Sequence, residues 1–273
     1  MVLVAAGRGE RLGHGIPKAS VLIAGEPILA HALRAVMAAD IAEQICVVLP
    51  PGEESLAELC RSIQTQQTAQ QHEKASSVLP VIFTEGGASR TESVGNALAA
   101  LGSGISTVLI HDAARPLTPA GVFQRVHAAL RAGAHAVIPA LPVPDTIKIA
   151  QPTDPGDAAS AELGRLEQVT GTVARDQLRR VQTPQGFDLH TLRQAHTAGQ
   201  ALPAAQAAAI TDDAMLVESL GFPVYLVPGS ELSLKITTPD DLTLAEALLV
   251  GLSTPQGGAA QHAEAHDKQE VAK

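Results

Sequence analysis

Aromatic residues are nearly missing from this chain. They make up 2% of 273 residues, with no Trp, one Tyr (Tyr225) and four Phe. A base-stacking nucleic-acid platform is thereby disfavoured, and the core has to be packed from Ala, Val, Leu and Ile. Basic residues are also short, with 19 Lys and Arg against 28 Asp and Glu for a formal net charge of −9. That balance argues against a general nucleic-acid or anionic-membrane surface, so an anionic ligand must be met by a local cluster of cations. Cysteine is limited to Cys46 and Cys60, too few for a disulfide scaffold or a four-ligand zinc site; Cys46, inside the apolar run ICVVLP, reads as core. No apolar run reaches the ~18 residues of a membrane span, and no basic n-region with a long apolar h-region opens the chain. The expectation is a soluble, cytoplasmic protein with no nucleic-acid or membrane partner.

Hydrophobic residues, at 45%, suffice for a sizeable core. The rest of the chain is organised around residues 1–18, MVLVAAGRGERLGHGIPK. Met1, Val2, Leu3 and Val4 read as a short buried strand. Gly7, Gly9, Gly13 and Gly15 follow within nine residues, with Arg8, Arg11 and Lys18 among them. Glycines let a backbone approach an anion closely, and consecutive N–H groups form an anion-binding nest. A strand feeding such a loop is how α/β proteins build a phosphate site at the carboxyl end of a sheet. It is not a Walker A loop, because Lys18 follows Pro17 rather than Gly. Nor is it the usual dinucleotide fingerprint, because Leu12 stands where the third glycine belongs. An ordinary βα loop with surface cations remains open for the glycines alone; Arg11 and Pro17-Lys18 weigh against it.

Strand and helix patterns then alternate. Helices are expected over 27–39, 52–63, 89–101 and 118–132, and strands over 45–49, 78–83, 107–110 and 134–140. Ser89, with Glu92 three residues on, has the form of a capping box. Sustained alternation implies a mostly parallel sheet covered by helices on both faces, a three-layer αβα sandwich. Ligands in such sheets bind at the carboxyl ends of strands, so the Gly7 loop, Gly86-Gly87 and His111-Asp112-Ala113-Ala114-Arg115-Pro116 should converge. Residues 64–77 are polar and of low complexity, a surface insertion. Residues 142–175 are too rich in Pro, Asp, Gly and Ser for core and read as a projecting arm with strands near 146–150 and 169–173. Thr211-Asp212-Asp213 caps a helix, strands are expected at 223–227 and 233–236, and a helix closes the domain over 239–250. One domain, 1–252, is thus expected, with a disordered tail at 253–273.

Some convergent residues carry chemistry. Asp112 either caps a turn or lies beside a divalent metal on a triphosphate, for which Mg²⁺ suits oxygen ligands. Arg115, locked by Pro116, suits bidentate phosphate binding. Lys235, in the apolar run LSLKI, is either a snorkelling edge lysine or reaches a partner. His111 reads as structural, since attack by a phosphate oxygen needs no base.

The ordered set AAGxGxR…PK, GG..R..SV, HDAARP, P..DT.K, TPQ.F, a TD pair and K.T.P.DL..AE resembles the 2-C-methyl-D-erythritol 4-phosphate cytidylyltransferase family from Val2 to about Leu249. The resemblance implies a nucleotide-diphospho-sugar transferase-like fold whose 142–175 arm exchanges across a homodimer. It implies that Ala5, Ala6, Gly7, Gly9 and Gly86 line a CTP site by backbone contacts, and that Ser93 fixes cytosine or ribose. Arg11 and Lys18 would hold the triphosphate and stabilise charge at the α-phosphorus, with Asp112 near Mg²⁺ and the nucleotide. Arg115, Thr146, Arg175 and Lys235 would bind the acceptor phosphate and polyol, Thr146 and Arg175 from the partner's arm. Val4, Ala19-Ser20, Ala88 and Pro144 depart from the family pattern; of these only Ala88 borders the base site. A ribitol 5-phosphate cytidylyltransferase is the nearest rival, and a non-catalytic nucleotide-binding regulator the rival from another class.

Overall fold

The computed structural model describes residues 1–7, 9–13, 15–70, 78–153, 166–203, 206 and 209–253. Strand β1 (Val2–Val4) runs into the glycine loop, followed by a two-strand hairpin, β2 (Leu22–Ile23) and β3 (Glu26–Pro27). Its turn places Ala24 at φ +50° and Gly25 at φ +85°, the paired left-handed conformation of a tight hairpin turn. Then come α1 (Ile28–Ala38), β4 (Ile45–Leu49), α2 (Glu54–Gln70), β5 (Val81–Glu85), α3 (Arg90–Ala100), β6 (Thr107–Asp112), α4 (Ala120–Arg131) and β7 (Ala136–Pro142). A separate antiparallel hairpin, β8 (Ile147–Pro152) and β9 (Glu167–Val173), follows. The chain returns through β10 (Arg179–Val181) and β11 (Gln185–Asp188), then α5 (Leu189–Gln200), α6 (Asp213–Ser219), β12 (Tyr225–Pro228) and α7 (Pro239–Ser253).

The main sheet has the order β10-β7-β11-β6-β1-β4-β5, with β12 also pairing β7. Strands β5, β4, β1 and β6 are mutually parallel, as alternation predicts. Strand β11 lies between β6 and β7 and is antiparallel to both. Strand β4, fully buried, and β1, buried except for half-buried Val4, are continuous apolar runs, the signature of strands covered on both faces. One face packs against α1, α2 and α4 through Leu3, Leu33, Val47 and Phe123; the other against α3, α5 and α6 through Val2, Val48, Leu98, Phe187 and Leu192. Cys46 is in that second core, and burial pushes its thiol pKa up to about 11. No helix among the described residues is long and apolar enough to cross a membrane.

Two expectations are corrected. Helix α2 continues to Gln70, into the segment read as an insertion; a Thr/Gln-rich run is a workable helix surface, and Thr65 and Thr68 hydroxyls bond carbonyls one turn back. Residues 71–77 and 254–273, and 154–165 of the arm, lie outside the described residues. Residues 233–236 are not a strand. A 3₁₀ turn over Glu231–Ser233 leads into a segment that crosses the carboxyl edge, tied by the Ile236 N–H to the Ala114 carbonyl at 2.8 Å. The TPQ.F segment leads into the inserted strand β11, whose Phe187 is fully buried in the core beneath α3, α5 and α6.

Replacing Phe187 with Ala should destabilise the fold by about 3–5 kcal/mol, the usual cost of emptying a buried phenyl site. Urea unfolding measures it; a loss below about 1 kcal/mol would contradict the central position of β11.

Candidate active site

The register sets the site. Val4 lies opposite Val48 on one side and Asp112 on the other, so three strands end together. The turns beyond β1, β5 and β6 line one cavity of about 560 Å³, within the range of small-ligand pockets. Its walls include Ala5, Ala6, Gly7, Gly9, Gly87, Ser93, Arg90, Asp112, Lys18 and Lys235.

The glycine loop folds back on Lys18. Gly9 has φ +72°, and a Cβ there would lie 3.0 Å from Lys18 Cβ. The Lys18 N–H donates to the Gly7 carbonyl at 3.2 Å, and its Nζ donates to the Ile236 carbonyl at 2.9 Å. Arg11 belongs to the 3₁₀ turn Glu10–Leu12, and its side chain lies outside the described residues. Gly86 does not line the cavity but allows its floor: a Cβ there would meet Ala6 Cβ at 2.3 Å. Ser89 caps α3 by accepting from the Glu92 N–H at 3.1 Å. The Glu92 carboxylate accepts from Ala88 N–H at 2.8 Å, one residue before the position a standard capping box uses. Ser93 Oγ accepts from Gly87 N–H at 3.0 Å and donates to the Ser89 carbonyl at 2.8 Å, which shapes this turn.

Asp112 anchors the charged wall. Lys235 Nζ donates to its Oδ2 at 2.8 Å and Arg90 Nε to its Oδ1 at 3.3 Å. Burial would raise its pKa, but the Arg90 and Lys235 charges outweigh burial and hold the carboxyl well below the usual range. Lys235 therefore does reach a partner. Arg90 also donates through Nη1 to Asp213 Oδ2 at 2.6 Å, and the Asp213 Oδ1 lies 3.0 Å from His196 Nε2. Asp213 is 1% exposed; burial raises its pKa, and Arg90 and His196 bring it below the ordinary value.

Sequence reading gives Arg90 and Asp213 places in motifs but no roles. The available signal was the doubled acid: Asp212 alone completes the cap, accepting from Met215 N–H at 3.0 Å, which leaves Asp213 for another use. Gln185 of TPQ.F locks this corner, donating to Asp212 Oδ2 at 2.9 Å and accepting from Ala214 N–H at 3.3 Å.

Three expected site residues stand apart from the cavity. Arg115 donates to the Ser233 carbonyl at 2.7 Å and the Val181 carbonyl at 3.4 Å. Thr146 and Arg175 are exposed at the base of the β8–β9 hairpin, where Arg175 donates to the Pro144 carbonyl. His111 is structural as expected: fully buried, with Nδ1 3.0 Å from Thr183 Oγ1 and Nε2 3.3 Å from the Arg115 carbonyl.

A twisted α/β sheet with a glycine loop and paired cations at its carboxyl edge is the architecture of nucleotide-diphospho-sugar transferase-like proteins. Within that class the assignment is closer. The family model for 2-C-methyl-D-erythritol 4-phosphate cytidylyltransferase matches residues 1–251, and the chain belongs to this family. It is 43% identical over 248 residues to the enzyme of that name from Streptomyces avermitilis, covering 91% of this chain and 90% of the relative. The Nocardia farcinica enzyme is 44% identical over 249 residues, covering 90% and 91%. The crystal structure of the Thermus thermophilus enzyme is 36% identical, covers 90% of this chain and 97% of its own, and superposes with a TM-score of 0.63. The synthase from Anaerococcus prevotii, 27% identical, covers 91% and 96% with a TM-score of 0.68.

Burial, aided by the Arg115 charge and opposed by Asp112, pushes the His111 pKa down from 6.5 to about 4. Folding thus favours the neutral ring, and stability should fall as pH drops from about 6.5 towards 4. Urea midpoints across this window should fall more steeply for the wild type than for His111→Gln. Equal slopes would place the titration elsewhere.

Proposed function

We propose that the protein transfers CMP from CTP to 2-C-methyl-D-erythritol 4-phosphate, releasing pyrophosphate and 4-diphosphocytidyl-2-C-methyl-D-erythritol in the cytoplasmic non-mevalonate route to isoprenoids. The observation that carries this reading is the gathering of Lys18 and the Lys235–Asp112 pair at one cavity of a chain matched to the family over residues 1–251. An oxygen of the acceptor phosphate attacks the α-phosphorus of CTP. The bond from that phosphorus to the bridging oxygen breaks, and its electron pair leaves on pyrophosphate. Such a transfer asks for positioning and charge neutralisation more than covalent help. The backbone of Ala5, Ala6, Gly7 and Gly9, with the turn at Gly86, would receive the nucleotide, Ser93 would hold the turn beside the cytosine, and Arg11 and Lys18 would take the triphosphate charge. Lys235 would hold the acceptor phosphate.

Magnesium fits this site as a companion of the nucleotide rather than as a resident ion. Among the described residues no group of three or more His, Cys, Asp or Glu could cage a metal, and Asp112 and Glu10 are the carboxylates on the cavity wall. Mg²⁺ is commonly held by one or two carboxylates plus substrate phosphates. Asp112 would be its protein contact, and the ion would neutralise phosphate charge.

Arg115, Thr146 and Arg175 are proposed for the acceptor, the latter two across a homodimer. Exposed Ile147, Ile149 and Val169 on the β8–β9 hairpin suit burial against a second copy.

Pyrophosphate release should require CTP, Mg²⁺ and methylerythritol phosphate together. Faster release with ribitol 5-phosphate would overturn the acceptor. Lys18→Ala should lower kcat by about 10²–10³, as for a lost oxyanion donor; near-normal kcat would remove its role. Mixing Lys18→Ala with Arg175→Ala subunits tests the shared arm, because each mixed dimer would then hold one intact site. Recovered activity is expected, and none would place Arg175 in its own subunit's site.

A further inference from the structure

Arg90 is a cation on the cavity wall, and a phosphate clamp would be the obvious reading. Its hydrogen bonds say otherwise. The guanidinium is spent on two carboxylates, with Nε on Asp112 and Nη1 on Asp213. Asp213 is itself fixed on its other oxygen by His196, at 3.0 Å and 5% exposed. The corner carrying Asp213 is bolted to β11 through Gln185, and β11 pairs with β6, which carries Asp112. Arg90 sits at the first position of α3, immediately after the Gly86–Ser89 turn. One side chain therefore links the turn expected beside the nucleotide, the strand end carrying Asp112 and the helix behind them.

The geometry of Asp112 makes the link consequential. Its two oxygens are divided, Oδ1 to Arg90 and Oδ2 to Lys235. Whatever fixes Oδ1 fixes the direction in which Oδ2 points, and so where the Lys235 ammonium waits. Lysine is a compact charge on a flexible stem and needs such a partner to have a defined place.

Resting on the cytidylyltransferase reading, we propose that Arg90 is a positioning residue for the acceptor half of the reaction. Anchored by Asp213 and His196, it orients Asp112 and through it sets the position of Lys235. It acts on the acceptor without touching it.

Kinetics of the full chain with CTP and methylerythritol phosphate read the effect. Arg90→Lys keeps the charge and loses the fork, which guards against a variant that fails to fold. The acceptor KM should rise about tenfold or more, the scale of losing an orienting partner, and by more than the KM for CTP, which Asp112 touches only through Mg²⁺. Asp213→Asn should move the same parameter in the same direction and add little when combined with Arg90→Lys, because both act along one chain of contacts. Loss appearing mainly in the CTP KM would make Arg90 a nucleotide ligand and overturn the proposal. So would an unchanged acceptor KM, or full additivity of the two substitutions.

A crystal structure of the Arg90→Lys variant separates this proposal from the assignment of substrate. The Lys235–Asp112 contact is expected to break or lengthen beyond hydrogen-bond range. If it stays as in the parent, the positioning role is overturned whichever acceptor the wild type prefers; if wild-type protein releases no pyrophosphate yet the contact breaks, the substrate assignment fails and the positioning role stands.

Discussion

Asp112 is a carboxylate at the end of a buried strand, and the organisation of the site depends on its remaining charged there. An isolated carboxylate in that place would be protonated or would destabilise the fold. Here Arg90 and Lys235 each take one of its oxygens, one from the start of α3 and one from the segment before α7. Arg90 has the same problem in reverse, and Asp213 with His196 resolves it. Each group is tolerated because the next one is present, and removing the buried Asp213 from under Arg90 commonly costs about 3–5 kcal/mol for such a pair.

This chain of charges lies along the seam between a parallel half-sheet and the antiparallel insertion. The parallel strands β5, β4, β1 and β6 bring three turns to one edge. Strand β11 then extends the sheet beyond β6 and carries Gln185, which holds the corner of α6. Thr183, just before β11, takes the Asp112 N–H and touches His111. The TPQ.F motif is thus a structural clamp behind the site: Phe187 fills core, Gln185 fixes α6, and Thr183 ties the strand end.

Much of the fold could be read from local pattern. Apolar runs marked β1, β4, β6 and β7, and helical spacing marked α1, α3 and α4. The Asp212 cap and the Ser89 cap were legible because a capping side chain bonds a backbone N–H two or three positions away. Strands β8 and β9 fall where expected within 142–175, and they are exposed, in keeping with a composition that cannot support a core. The helical reach of α2 was missed because a Gln-rich stretch has no apolar period to mark it. Residues 233–236 were misread as a strand because their apolar alternation serves instead to bury Ile236 under the loop while Lys235 turns to the cavity.

By itself, the sequence determined the apolar strands β1, β4, β6 and β7, where glycines must permit close approach, and that cations would gather at the carboxyl edge of the sheet. These follow from interactions within a few residues and from the topology that alternation imposes. Only the tertiary structure decided the partners of the charges. Lys235 meets Asp112, and Arg90 meets Asp213, each across 123 positions of chain. It also turned Arg115 towards the Ser233 and Val181 carbonyls rather than the cavity wall. A long charged side chain can reach several places from one backbone position, and local pattern does not rank them. Which carboxylate or carbonyl it meets is settled by packing elements distant in the chain, whose burial makes every unpaired alternative costly.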